Sequence, residues 1–141
     1  MQTRYFAYHG YSILAVDFPG HGRSEGEFIK SIEEMADWIP ELLNAAGLEK
    51  ASLVGHSSGA LVALECAARY SEIVSSLCLI GSAAKMPVHP VLLDASLKGD
   101  LLAFDLVTSW EHGPTGHFGN PPVPGMSLLG GAQSLLNSSP N

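Results

Sequence analysis

The sequence predicts an α/β fold: part of a doubly wound parallel sheet, with three strands joined by crossover helices, followed by a helical segment. Three observations lead there. Short apolar runs alternate with stretches whose apolar residues recur at helical spacing. Glycine and proline are unevenly spread: residues 1–85 hold 8 Gly and 2 Pro, whereas residues 86–141 hold 7 of each. The length, 141 residues, suits one domain at about 150 residues per domain. Residues 1–85 are therefore expected to form a partial core, and 86–141 an incomplete set of shorter helices and loops.

Taken in order, Met1–His9 fits the last turns of a helix, with Gly10 at the position after a helix end that favours positive φ. Ser12–Asp17 is a short apolar run closed by a turn cluster, the pattern of a buried strand. Phe18–Gly26 is a loop by its Gly and Pro content. Ser31 and Glu34 have capping-box spacing. Behind them Ile32, Met35, Ala36, Ile39, Leu42, Leu43 and Ala46 share one helical face, and Gly47 is a suitable stop. Pro40 lies inside this pattern and costs about 3 kcal/mol in an unbroken helix, so a kink or two helical pieces are expected.

Ala51–Gly55 predicts a second strand. Ser58–Tyr70 predicts a helix with Leu61, Leu64, Ala67 and Ala68 facing inward. Val74–Ile80 predicts a third strand. This order implies right-handed crossovers and a mainly parallel sheet covered on both faces. Ligands then sit outside the carboxyl ends of the strands, so the loops after Asp17, Gly55 and Ile80 matter most. Beyond Gly81 the pattern is helical: Pro90–Leu97, then Leu101–Trp110 with Asp100 as its cap. His112–Gly125 reads as a loop, Met126–Leu136 as a weak helix, and the last four residues as frayed.

Composition excludes several function classes. The formal net charge is −7, from 7 Lys plus Arg against 14 Asp plus Glu. Such a chain suits neither a nucleic-acid backbone nor an anionic membrane surface. Cys66 and Cys78 lie in apolar surroundings with no C-x-x-C spacing, and both read as reduced, buried core residues. No apolar run is long enough for a transmembrane helix, and the first residues lack a signal core. A soluble, cytoplasmic setting is the expectation.

The strongest chemical signal is Gly55-His56-Ser57-Ser58-Gly59, a G-x-S-x-G pattern between a strand and a helix. A reactive serine needs its hydroxyl exposed at the tip of a sharp turn, with small neighbours so that the chains can approach. The helix that follows aims N–H groups and its positive end at the same place, which suits an oxyanion. The bare pattern is not specific, and a Gly-Ser turn opening an ordinary helix would also carry it. The strand before and the helix after are what argue for the elbow. Other patterns are weak. Gly20-x-Gly22-x-x-x-Gly26 misses the dinucleotide fingerprint, with Glu25 where the third glycine belongs. His112 and His117 lack a third metal ligand.

The second signal is Asp17-Phe18-Pro19-Gly20-His21-Gly22-Arg23-Ser24, directly after the first expected strand. Together with Gly55–Gly59, it makes the sequence resemble the α/β-hydrolase fold superfamily. The resemblance is close over residues 1–85 and looser over 86–141, which look like the start of the helical cap, or lid, inserted after the family's sixth strand. It implies that Ser12–Asp17, Ala51–Gly55 and Val74–Ile80 match the family's fourth, fifth and sixth strands. It implies Ser57 as nucleophile and the Ser58 backbone N–H as one oxyanion donor, with Gly55, His56 and Gly59 forming the elbow. Arg23 and Ser24 fit loop stabilisation. His21 and His56 match structural positions rather than the catalytic base.

The family order places the acid and the histidine on later strands, and none is expected after Ile80. A full sheet needs about 240 residues at about 30 per βα unit, so the chain looks like a central fragment. In the family the third strand separates the fourth from the fifth. Without it, the two either pair directly or leave a gap with free edges, which favours self-association. The reading that follows is a serine-nucleophile hydrolase of an ester or related acyl bond. It uses a small-molecule substrate and needs no cofactor and no metal, with a histidine outside this chain as base. Residues 86–136 would shape an apolar acyl pocket. The alternative is a non-catalytic truncated relic or interaction fragment that keeps the elbow without the triad.

Overall fold

The computed structural model describes residues 2–112, apart from the side chains of residues 111 and 112. The elements are α1 (Gln2–Tyr8), α2 (Ile32–Ala45), β1 (Ala51–His56), α3 (Ser58–Arg69), a single 3₁₀ turn (Ser71–Ile73), β2 (Val74–Ile80), α4 (Pro90–Leu97) and α5 (Leu102–His112). The expected loop and last helix after His112 lie outside the described residues.

The helix signals act as chemistry requires. The Ser31 hydroxyl accepts the Glu34 N–H at 3.1 Å, satisfying one of the orphan donors at the start of α2. The Glu34 carboxylate reaches back to the Lys30 N–H at 3.3 Å, one residue before the cap itself. At the other end Gly47 takes φ +68°. Its N–H bonds to the Asn44 carbonyl at 3.0 Å and that of Leu48 to the Leu43 carbonyl at 2.9 Å, the paired bonds of a Schellman stop. Pro40 does not divide α2: one helix runs through it from Ile32 to Ala45. Tertiary burial of Ala36, Ile39 and Leu43 on both sides of the proline offsets its missing N–H. Asp100 accepts the Leu102 N–H at 2.9 Å and so caps the entry to α5.

The sheet is smaller than expected. It has two parallel strands, β1 beside β2, with Leu53 opposite Leu77 and Gly55 opposite Leu79. Ser12–Asp17 is not a strand: it pairs with nothing among the described residues. Its apolar side chains were legible, but a strand exists only through a hydrogen-bonded neighbour. Of the two arrangements open to it, direct pairing with β1 or a gap, the structure has the gap. Ile13, Leu14 and Val16 stay exposed there.

One face of this sheet is covered. Ala36, Ile39 and Leu43 of α2 form the core with Val62 and Cys66 of α3, and Leu53, Ala51 and Val74 pack against them. The opposite face, expected to be covered too, is open among the described residues: Val54 is 70% exposed and Cys78 is exposed as well. Cys78 is therefore not the buried core residue its apolar neighbours suggested. Its alternation places it beside Val54 and opposite the helices. The inward face of α3 also differs. Ala60, Val62, Ala63 and Cys66 are buried, while Leu64 is exposed. The helix is apolar nearly all round, so periodicity alone did not choose its face.

Polar ties join α2 to α3. The Tyr70 hydroxyl donates to the Asp37 carboxylate at 2.6 Å, and the Arg69 guanidinium meets the same oxygen at 2.6 Å. The bond to Asp37 holds the Tyr70 phenol above its ordinary pKa, because the phenolate would face a carboxylate. Burial likewise raises the Cys66 thiol, with Glu72 and Asp37 adding to the effect.

Two outcomes follow. A thiol reagent applied to the folded protein will modify Cys78 at once and Cys66 only on unfolding, which mass spectrometry of the labelled peptides reads directly. In an alkaline absorbance titration Tyr70 will ionise above the ordinary tyrosine value, and Asp37→Asn will bring it back toward that value. A raised folded pKa means that this contribution to stability is complete below the ordinary tyrosine pKa of about 10 and is lost as pH rises through the raised value.

Candidate functional site

The carboxyl end of β1 runs into the start of α3 with a single residue, Ser57, between them. Ser57 has φ +53° and ψ −120°, and it is the one non-glycine residue with positive φ among the described residues. Such a conformation costs about 1–3 kcal/mol and persists only where its surroundings impose it. Two contacts impose it here. The Ser57 N–H donates to the carbonyl of Ile80 at the end of β2, at 2.9 Å. The Ser57 carbonyl accepts the Ala60 N–H at 3.0 Å, beginning the helix.

The third constraint is steric. A Cβ on Gly55 would run into the Gly59 carbonyl and lie 2.6 Å from the Ala60 Cα. Only a glycine lets α3 turn back this tightly against β1. Gly59 differs, since a Cβ there meets nothing within 4 Å. The two glycines of the motif are thus unequal in this structure: one is required by the turn and the other is not.

Ser57 stands at the N-cap position of α3, yet its side chain makes no capping bond. A serine there ordinarily accepts from the first turn, worth about 1 kcal/mol. The unusual backbone aims this hydroxyl away instead, and it has no partner among the described residues. The side chain is half-buried. The N–H of Ser58 also meets no backbone acceptor among the described residues. It is one of the orphan donors of α3 and lies at the positive end of the helix dipole. A hydroxyl and a free N–H on adjacent residues form a place where a carbonyl carbon can be approached and its oxygen held.

His56 is exposed, and its ring lies over Gly81, where a Cβ would come within 3.1 Å of Nε2. His21 is occupied elsewhere. Its Nδ1 lies 3.2 Å from the Pro19 carbonyl and its ring stacks on Phe28 with centroids 4.6 Å apart. The loop around it closes on Asp17. The Asp17 carboxylate accepts the Arg23 N–H at 3.1 Å, and its carbonyl accepts the Ser24 hydroxyl at 2.6 Å. A Cβ on Gly22 would lie 2.6 Å from the Asp17 carboxyl carbon, so the same carboxylate also dictates that glycine. The loop is tied to the core by Phe18, whose ring sits 5.1 Å from that of Trp38.

A separate cleft of about 400 Å³ lies between α4 and α5, lined by Val88, Leu92, Ser96, Ala103, Phe104 and Val107. It is a feature of side-chain packing between two short helices, mostly apolar with Ser96 and Asp100 at its wall. His117 and the side chain of His112 lie outside the described residues. No group of three or more His, Cys, Asp or Glu among the described residues could hold a metal ion, and no described helix is long and apolar enough to cross a membrane.

Comparisons with known proteins give the fold family. A family model described as the alpha/beta hydrolase fold matches residues 3–113. The chain is 38% identical over 72 residues to the dihydrolipoyllysine-residue acetyltransferase component of an acetoin cleaving system from Pseudomonas putida, covering 50% of this chain and 20% of that one. It is 41% identical over 76 residues to a pimeloyl-(acyl-carrier protein) methyl ester esterase of Neisseria meningitidis serogroup B, covering 52% of this chain and 27% of that one. A solved structure of a thermophilic esterase superposes with TM-score 0.58 at 36% identity, over 64% of this chain and 35% of that chain. The chain thus spans well under half the length of each.

The inequality of the two glycines gives a direct check. Gly55→Ala will destabilise the fold by about 3 kcal/mol or more, as overpacking against backbone does. Gly59→Ala will leave stability unchanged or raise it by up to about 1 kcal/mol through helix propensity. Urea unfolding of both variants measures the contrast.

Proposed function

The chain belongs to the α/β-hydrolase fold family, and on that premise we propose that it carries the nucleophile of an enzyme that hydrolyses an ester or related acyl bond. The observation that carries the reading is Ser57: a strained, uncapped serine at the strand-to-helix turn, beside an unused N–H. Backbone strain and a forgone cap are both unfavourable to stability, and a nucleophile is what such a serine serves. Two of the similar proteins are named as esterases, which favours an ester as the bond cleaved.

The proposed reaction runs in two halves. The Ser57 Oγ attacks the acyl carbonyl carbon while a histidine outside the described residues takes its proton. The carbonyl π electrons move onto oxygen, and the Ser58 N–H, at the start of α3, donates to that oxyanion. Collapse of the tetrahedral species breaks the bond to the alcohol, which leaves with the proton from the histidine. Water then attacks the acyl-serine by the same route, releasing the acid and restoring the Ser57 hydroxyl. His56 and His21 take no proton in this scheme. Residues 86–141 act as a cap. The α4–α5 cleft, apolar and within the size range of small-ligand sites, receives the acyl chain. No cofactor and no metal takes part, and the setting is cytoplasmic.

A fluorophosphonate probe applied to the native protein will form an adduct at Ser57, located by peptide mass spectrometry. Ser57→Ala will abolish both the adduct and hydrolysis of a small activated ester, a loss of about 10⁴-fold or more when a triad serine is removed. Folded wild-type protein without the adduct would falsify the nucleophile and leave the non-catalytic relic in its place.

A further inference from the structure

The motif explains Gly55 and the conformation of Ser57, but not what holds Ser57 from the other side. That support comes from the end of β2. The ladder between β1 and β2 reaches His56 opposite Ile80. One further bond, from the Ser57 N–H to the Ile80 carbonyl at 2.9 Å, carries it past the end of β1 and into the turn. The next residue, Gly81, has φ +60°.

These facts are mechanically linked. The Ile80 carbonyl and the Gly81 N–H belong to one planar peptide unit. The φ of Gly81 is the rotation between that plane and the chain that follows. A residue that cannot hold positive φ must therefore swing the plane, and the carbonyl with it, or redirect the chain from residue 82 onward. The plane is the softer of the two, because β2 ends at Ile80 and, among the described residues, this bond alone restrains its last carbonyl.

We infer that Gly81 is a positioning residue for Ser57: its left-handed backbone aims the Ile80 carbonyl at the Ser57 N–H and so fixes where the hydroxyl points. This rests on the reading of Ser57 as nucleophile. In this role Gly81 acts through the carbonyl before it and not on a substrate. The neighbouring His56 ring tolerates a small side chain at 81, since it is exposed and a Cβ would lie 3.1 Å from Nε2, a distance relieved by a slight turn of the ring.

The test compares Gly81→Val with Gly81→Asn in the native protein. Valine is an outlier at positive φ, whereas asparagine adopts the left-handed region readily. Amide hydrogen exchange is read at Ser57, with Leu53 and Val62 as controls for global opening. Fluorophosphonate labelling and the kcat and KM for an activated ester are read alongside. Gly81→Val will speed exchange at Ser57 by about 10-fold or more with the controls unchanged. It will lower kcat and the labelling rate by about 10-fold or more with KM little changed, as a misplaced reacting group does. Gly81→Asn will stay within about 3-fold of wild type on each reading, since its left-handed φ costs little.

Unchanged exchange at Ser57 in Gly81→Val would mean that the chain after residue 82 had moved instead, and would overturn the inference. So would loss of exchange protection with labelling intact, or equal damage from asparagine. A wild-type protein that takes no label removes the nucleophile reading alone, because exchange at Ser57 still decides whether Gly81 holds the turn.

Discussion

The missing side chain at Gly55 governs how closely α3 packs on β1, and most of the structure depends on that approach. With hydrogen in place of a methyl group, the backbone at Gly59 and Ala60 comes within contact of the strand. The helix can then start one residue after the strand ends, and Ser57 is the residue caught between. Its unusual backbone is the geometric consequence of a turn this short, held by β2 through one hydrogen bond and by the first helical bond of α3. The same approach sets the rotation of α3, which buries Val62 and Cys66 against α2 and turns Leu64 outward.

Around this turn the forces differ in kind. Apolar burial between α2, α3 and one face of the sheet supplies the cohesion. The polar cluster of Asp37, Arg69 and Tyr70 ties the two helices together at one end. The Asp37 and Arg69 side chains are 43% and 39% exposed, where an ion pair is worth about 0.2–1 kcal/mol. The loop from Asp17 to Ser24 is different again. It is shaped by local bonds, those to Asp17 and the turn bonds of His21 to Phe18 and of Ser24 to His21, and Phe18 carries it onto the core at Trp38. A loop built this way keeps its form through local chemistry, independent of any strand pairing beside it.

Among the described residues the sheet has free edges and an open face. Val54, Cys78 and Ile80 lie on the side away from α3, and the apolar run Ile13–Val16 has no ladder partner there. The described residues thus place the elbow and its two supporting strands, while the chain spans only 35% of the esterase structure it superposes on. The part they contain is the part that orients the serine. In the proposed reaction the attacking oxygen of Ser57 and the oxyanion-holding N–H of Ser58 belong to adjacent residues, so one turn sets both.

Much of this was legible in the sequence because its causes are local. Ser31 with Glu34, Gly47, Asp100, and the limits of α4 and β2 follow from hydrogen-bond needs within a few residues. Gly55-His56-Ser57-Ser58-Gly59 between an apolar run and a helix identified the turn for the same reason. What tertiary structure alone decided involves partners distant in the chain. Whether Ser12–Asp17 is a strand depends on a neighbour, not on its own residues. Whether Cys78 is buried depends on what covers the second face of the sheet. The inward face of α3 came from its approach to β1, because its apolar residues spread too widely around the helix to choose one side. Even within the motif, the sequence wrote two equivalent glycines, and only the packing of α3 on β1 shows that Gly55 is the indispensable one.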